Sequence, residues 1–244
     1  MTKSQPKAAG RAQKAAELRA AQARSERKRR LLMIGGVAAV FVLIVGGAIT
    51  VTLLNQDEVD APSAGADSEY GVTIGEEGAD HEVVIYEDFL CPICGQLEGA
   101  SNDGLTQAAA DGKVLVEYRP IAILTQFGDY SVRSANAFRV VLEEAGPQEA
   151  KEFHDLLFEN QPEEGGPYPS DDDLVGWAVE AGADEAAVRD GIESLEHEDW
   201  VQDATDAAVD AGVQGTPTVL LDGEVFQDGR SWTDIGQNLV EAVE

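Results

Sequence analysis

Residues 81–95 read HEVVIYEDFLCPICG. The run Val83-Val84-Ile85-Tyr86 is apolar and β-branched, the pattern of a strand buried on both faces. A Cys-Pro-Ile-Cys motif follows at once, and from Gly95 to Asp111 the chain turns Ala-rich and helical. Gly112 stands where a helix C-cap belongs, and Val114-Leu-Val-Glu-Tyr118 predicts another strand. Strand, cysteine motif, helix and strand in that order predict an α/β fold with the motif at a strand-to-helix junction.

Upstream, Val72 and Ile74 alternate in the manner of a strand, and the domain is expected to begin near Gly71. Downstream, about residues 123–212 carry helical periodicity. Ala135, Phe138, Val141 and Leu142 share one face; Phe153, Leu156 and Leu157 share another. Ser170 and Asp173 form a capping box, and further turns are expected over Ala186–Ile192 and Trp200–Val209. Trp177, Trp200 and Trp232 are expected to fill core space, and His154 to be a partly exposed helical residue. Thr218–Leu221, a turn at Asp222-Gly223, and Val225-Phe226 predict a hairpin, closed by a helix over Ser231–Val243.

Charge is divided sharply along the 244 residues. Residues 1–30 hold ten of the 17 Lys and Arg beside two acids, leaving seven bases against 44 acids in the remainder. So acidic a body argues against a nucleic-acid partner. Leu31 to Leu54 runs without a charged side chain, long enough for a membrane span of about 20 residues. Arg27-Lys28-Arg29-Arg30 precede it and Asp57, Glu58 and Asp60 follow, so the positive-inside rule sets the tail (1–30) in the cytoplasm and the rest outside. A cleaved signal would have a shorter apolar core. Residues 55–70, polar and bearing Pro, Gly and Ser, are expected to be a flexible linker. The predicted arrangement is a single-pass plasma-membrane protein with residues 71–244 as its extracytoplasmic domain.

The chain has two cysteines, Cys91 and Cys94, in a compartment where disulfides persist. His81, His154 and His197 have no ligand-spaced partners, so neither a zinc nor an iron–sulfur site is expected. A bridge between residues three apart would restrict the unfolded chain little, which favours redox exchange over a structural disulfide. At the first helical turn, with Pro92 suited to that turn, unpaired N–H groups favour an anion at Cys91. Cys91 is therefore the expected nucleophile, and Cys94, one turn further in, the thiol that resolves a mixed disulfide. Pro217, in Gly215-Thr-Pro-Thr218, cannot continue a central ladder; a cis Thr216-Pro217 bond would turn the Thr216 backbone out to pair with an extended substrate.

Tyr86–Gly95, Phe153–Pro162 and Val213–Gly223 together resemble the DsbA family of thioredoxin-fold proteins, over roughly Gly71 to Glu244. The anchored layout resembles actinobacterial and other Gram-positive members. The resemblance implies a thioredoxin fold with an inserted all-helical lobe and Pro217 cis beside the dithiol. It implies no cofactor, secreted or cell-surface proteins with cysteines as substrates, and a DsbB-like or vitamin K epoxide reductase-like membrane partner. This sequence departs from the pattern in having Ile85 where thioredoxin-like members often bury an acid. Glu87, on the same strand face, is the candidate proton relay, with Asp88 competing and a solvated side chain the alternative. Ile93 lacks the charge of the His found in the strongly oxidising enzyme, which points to a less oxidising couple; Thr216 resembles the isomerase-like relatives. The expectation is a thiol-disulfide oxidoreductase acting in disulfide formation. A reductase or isomerase is the alternative, and beyond it a non-enzymatic acidic binding module.

Overall fold

A computed structural model describes residues 59–65 and 69–244. The predicted tail (1–30) and anchor (31–54) lie outside the described residues, among which no helix is long and apolar enough to cross a membrane.

Strands β1 (Val72–Ile74), β2 (His81–Glu87), β3 (Val114–Pro120), β4 (Thr218–Leu221) and β5 (Glu224–Val225) form one sheet in the order β1-β3-β2-β4-β5. Helix α1 (Pro92–Ala110) connects β2 to its parallel neighbour β3, and the other pairings are antiparallel. β2 is central, with Val84 opposite Glu117 on one side and Leu220 on the other. A strand covered on both faces buries successive residues, which is why residues 83–87 read as a continuous rather than alternating run.

α1 begins three residues earlier than the Ala-rich segment suggested. Pro92 occupies its first turn and Cys91 is its N-cap, because a turn closed by Cys91 N–H to the Asp88 carbonyl at 2.8 Å aims the chain into the helix. Its end falls where the sequence placed it, with Gly112 at φ 74° donating to the Ala109 carbonyl. Helix α7 (Trp232–Val243) lies against α1 closely enough that a Cβ on Gly236 would come within 2.9 Å of the Ala100 Cβ and 3.0 Å of the Leu97 carbonyl oxygen.

Between β3 and β4 the chain forms helices α2 (Tyr130–Glu144), α3 (Pro147–Glu159), α4 (Asp171–Glu180), α5 (Glu185–Ser194) and α6 (Glu198–Asp210). Phe138, Phe153 and Leu157 of this lobe share one continuous core with Val83, Ile85 and Leu97. Ser170 and Asp173 form the expected capping box. The three tryptophans are half-buried at the margin of that core rather than inside it; Trp200 Nε1–H donates to the Glu69 carbonyl at 2.9 Å, the partner a buried indole needs. A smaller cluster, including Val84, Tyr86, Ile121, Ala208 and Leu220, covers the opposite sheet face.

The linker is where the structure departs most from composition. Val59–Gly65 lies against the domain, and Ala64 is buried. Asp60 N–H donates to the Ala211 carbonyl at 2.9 Å, and Arg119 Nη2 reaches the Pro62 and Ser63 carbonyls at 2.9 and 3.2 Å. The same guanidinium makes a fork onto Glu117 at 2.6 and 2.9 Å and donates to Tyr86 Oη at 2.8 Å. Polar composition predicted a free segment because the cation that captures its carbonyls sits on β3, far away in sequence.

Candidate active site

The end of β2 and the start of α1 bring Cys91 and Cys94 to the carboxyl end of the central strand. Both are free thiols; Cys91 is 4% exposed and Cys94 fully buried one turn deeper. Pro92 and Ile93 between them are exposed. The Thr216–Pro217 bond is cis, and the Thr216 carbonyl accepts from the Cys91 thiol at 3.3 Å. Cys91, Cys94, Pro92, Thr216 and Pro217 thus come together, although Cys91 and Thr216 lie 125 residues apart.

The two thiols differ in acidity for definable reasons. Cys91 is lowered to about 7, chiefly because the Cys94 thiol donates to its sulfur; burial opposes this, and the Cys94 and Ile93 backbone N–H groups add to it. Cys94 is raised well above the usual thiol range, first by burial, then by its bond to Cys91, and further by the negative charge of Glu87. The helix start contributes as the sequence suggested, but the second cysteine is the larger influence. Iodoacetamide alkylation of the reduced protein is expected to rise with pH through a midpoint near 7, with Cys91 carrying the label. A midpoint above about 8.5, that of an ordinary thiol, would contradict this assignment.

Beneath the dithiol Glu87 is fully buried, which excludes the solvated alternative; His154, expected partly exposed, is corrected to fully buried. His154 Nε2 and Glu87 Oε1 stand 2.5 Å apart, and His154 Nδ1 lies 2.9 Å from Asp155 Oδ1. Burial works against a charged imidazole, but Glu87 and the bonds to Asp155 and Glu87 raise His154 to about 9. Phe89, Tyr118 and Phe158 surround the ring. Asp88, the rival to Glu87, is occupied otherwise. Its carboxylate accepts the backbone N–H groups of Leu90, Ile123 and Leu124 at 2.9–3.1 Å, tying the cysteine loop to the segment after β3.

Two further residues escaped the sequence reading. Gln161, in the loop after α3, donates from Nε2 to both the Phe89 and Cys91 carbonyls at 3.0 Å. A Cβ on Gly95 would stand 2.4 Å from its Oε1, so the glycine after the motif makes room for a side chain pinned in place. Glu98, two turns into α1, is buried beside Glu87 and raised to about 8, first by burial and then by the Glu87 charge. A metal site was not expected from the spacing of histidines and cysteines, yet the fold gathers Glu87, Glu98 and His154 into a group able to hold an ion.

A family model described as Thioredoxin matches residues 67–241. The reduced form of a disulfide bond oxidoreductase, DsbG, from Mycobacterium tuberculosis is 29% identical with a TM-score of 0.58, over 65% of this chain and 81% of that one. Oxidised DsbA of the same organism is 27% identical with a TM-score of 0.58, over 71% and 92%. A curated relative, Na(+)/H(+) antiporter NhaA 1 of Salinispora arenicola, is 33% identical over 142 residues, 58% of this chain; the chain spans 20% of that protein's length.

Proposed function

This chain belongs to the thioredoxin family, and from that membership we propose a DsbA-like thiol-disulfide oxidoreductase that works outside the cytoplasm, passing a Cys91–Cys94 disulfide to cysteines of secreted proteins. The observation that carries the reading is the asymmetry of the pair. One thiol is held near pKa 7 beside the Thr216 carbonyl, and the other is buried with its pKa pushed up.

In the oxidised enzyme a substrate thiolate attacks Cys91 Sγ. The S–S bond to Cys94 breaks, a mixed disulfide forms, and Cys94 leaves as a thiolate that its buried setting requires to be protonated. Glu87, whose charge acts on Cys94 and which is bonded to His154, is the group through which that proton arrives. A second substrate thiolate then attacks the substrate sulfur and releases Cys91, the better leaving group because its thiolate is the more stable. The substrate loses two electrons and two protons, and a membrane partner of the quinone-reducing kind removes the electrons from the dithiol. The charge-free stretch at residues 31–54, with bases before it and acids after it, supports the extracytoplasmic location.

Reductase or isomerase action is the second reading. It is favoured by a nucleophile held only to about 7, with uncharged Ile93 between the cysteines. Equilibration in glutathione buffers with alkylation of free thiols decides between them. A potential above about −150 mV supports disulfide formation, and one below about −230 mV supports the second reading. Absence of any reversible exchange would sink both.

A further inference from the structure

We infer that Glu87, Glu98 and His154 form a binding site for a divalent transition-metal cation of the zinc type, built into the core behind the dithiol. They come from β2, α1 and α3, are 0, 4 and 0% exposed, and each offers one ligand atom within 4.8 Å of the others.

The carboxylates are under-satisfied in a way a cation would resolve. Neither oxygen of Glu98 has a hydrogen-bond partner among the described residues, and neither has Oε2 of Glu87. Buried carboxylate oxygens are rarely left so, because desolvation without a partner is costly. The imidazole is turned to meet them. Asp155 Oδ1 engages Nδ1 at 2.9 Å, which directs Nε2 toward Glu87 and Glu98, and Lys151 holds Asp155 from behind at 2.6 Å. A carboxylate fixing the far nitrogen of a ligating histidine is the usual outer-sphere support of a zinc site. One imidazole nitrogen and two carboxylate oxygens leave a fourth position open, a set suited to Zn2+; Ca2+ and Mg2+ prefer oxygen throughout. A cleft of about 330 Å³ lies against Glu98, lined also by Asn102, Asp103, Asp155 and Glu159, whose carboxylates attract cations. A bound ion would occupy Nε2 of His154 in place of its hydrogen bond to Glu87 Oε1.

The test uses the full chain with its cysteines oxidised to the disulfide, so that thiols cannot bind, stripped with chelator and titrated with Co2+ and then Zn2+. One equivalent is expected to bind at low micromolar concentration, with Co2+ giving visible d–d absorption and Zn2+ raising the melting temperature. Glu98→Gln keeps side-chain shape and is expected to weaken affinity at least about 10-fold and abolish the thermal shift. His154→Gln should do the same, and circular dichroism verifies that both variants fold. No stoichiometric binding up to about 100 μM, or wild-type affinity in folded Glu98→Gln, overturns the site.

Discussion

Cys94→Ala is expected to accumulate mixed disulfides with protein substrates through Cys91, whereas Cys91→Ala accumulates almost none. Cys91 ionises near neutrality beside the Thr216 carbonyl, so with its partner removed it still engages a substrate sulfur. Cys94 is fully buried and held protonated, so on its own it neither meets substrate nor attacks. Turnover should fall by ~10³-fold or more in both, about 4 kcal/mol of transition-state stabilisation, and only the Cys94 variant should become a trap. Non-reducing gels of cell extracts read the outcome, and equal trapping by the two variants would reverse the assigned roles. Removal of the Cys94 thiol should also raise the Cys91 pKa, since that thiol is the main donor to its sulfur.

Arg119→Ala should be the most damaging change away from the dithiol. Arg119 is 5% exposed, and its guanidinium joins Glu117, Tyr86 Oη and two linker carbonyls. Removing one member of a buried ion pair costs about 3–5 kcal/mol, because the remaining charge stays desolvated. Urea unfolding should show a loss of that size, and Arg119→Lys should recover little, as an ammonium cannot reproduce the fork. A second signature is local: residues 59–65 should become sensitive to protease under conditions where the wild type resists. A loss under about 1 kcal/mol with an undisturbed linker would mean that the network contributes little.

Much of this was visible in the linear chain where cause and effect are close together. β2, the cysteines, α1 and β3 are contiguous, and each is specified by its own periodicity or cap, so motif and scaffold were legible together. Ser170 and Asp173 were legible for the same reason. The acid beneath the dithiol was half legible. Period-two alternation set Glu87 on the face of Ile85, but only the fold reveals that this face meets α3, where His154 waits 67 residues away. Glu98 gave no signal, since an acid in an Ala- and Gly-rich helix reads as solvated until α3, which carries His154, packs against it. Strand alternation favoured Glu87 over its neighbour Asp88, and the fold separates them further: three backbone N–H groups converge on Asp88 and an imidazole on Glu87. The linker misled because its binding energy resides in Arg119.

The pairing of β2 with β4 sets the order in which the molecule can be completed during synthesis. Val84 and Leu220 are sheet neighbours, so the central strand lacks one of its two flanks until β4 has emerged from the ribosome. The same late segment supplies the carbonyl that contacts Cys91. A nascent chain ending before residue 216 would carry both cysteines but neither that contact nor the α7 cover. Its thiols would behave as those of any unfolded peptide, and the distinct setting of Cys91 would be acquired only once α1 and the segment around Thr216 have come together, so that reactivity and folding arrive together.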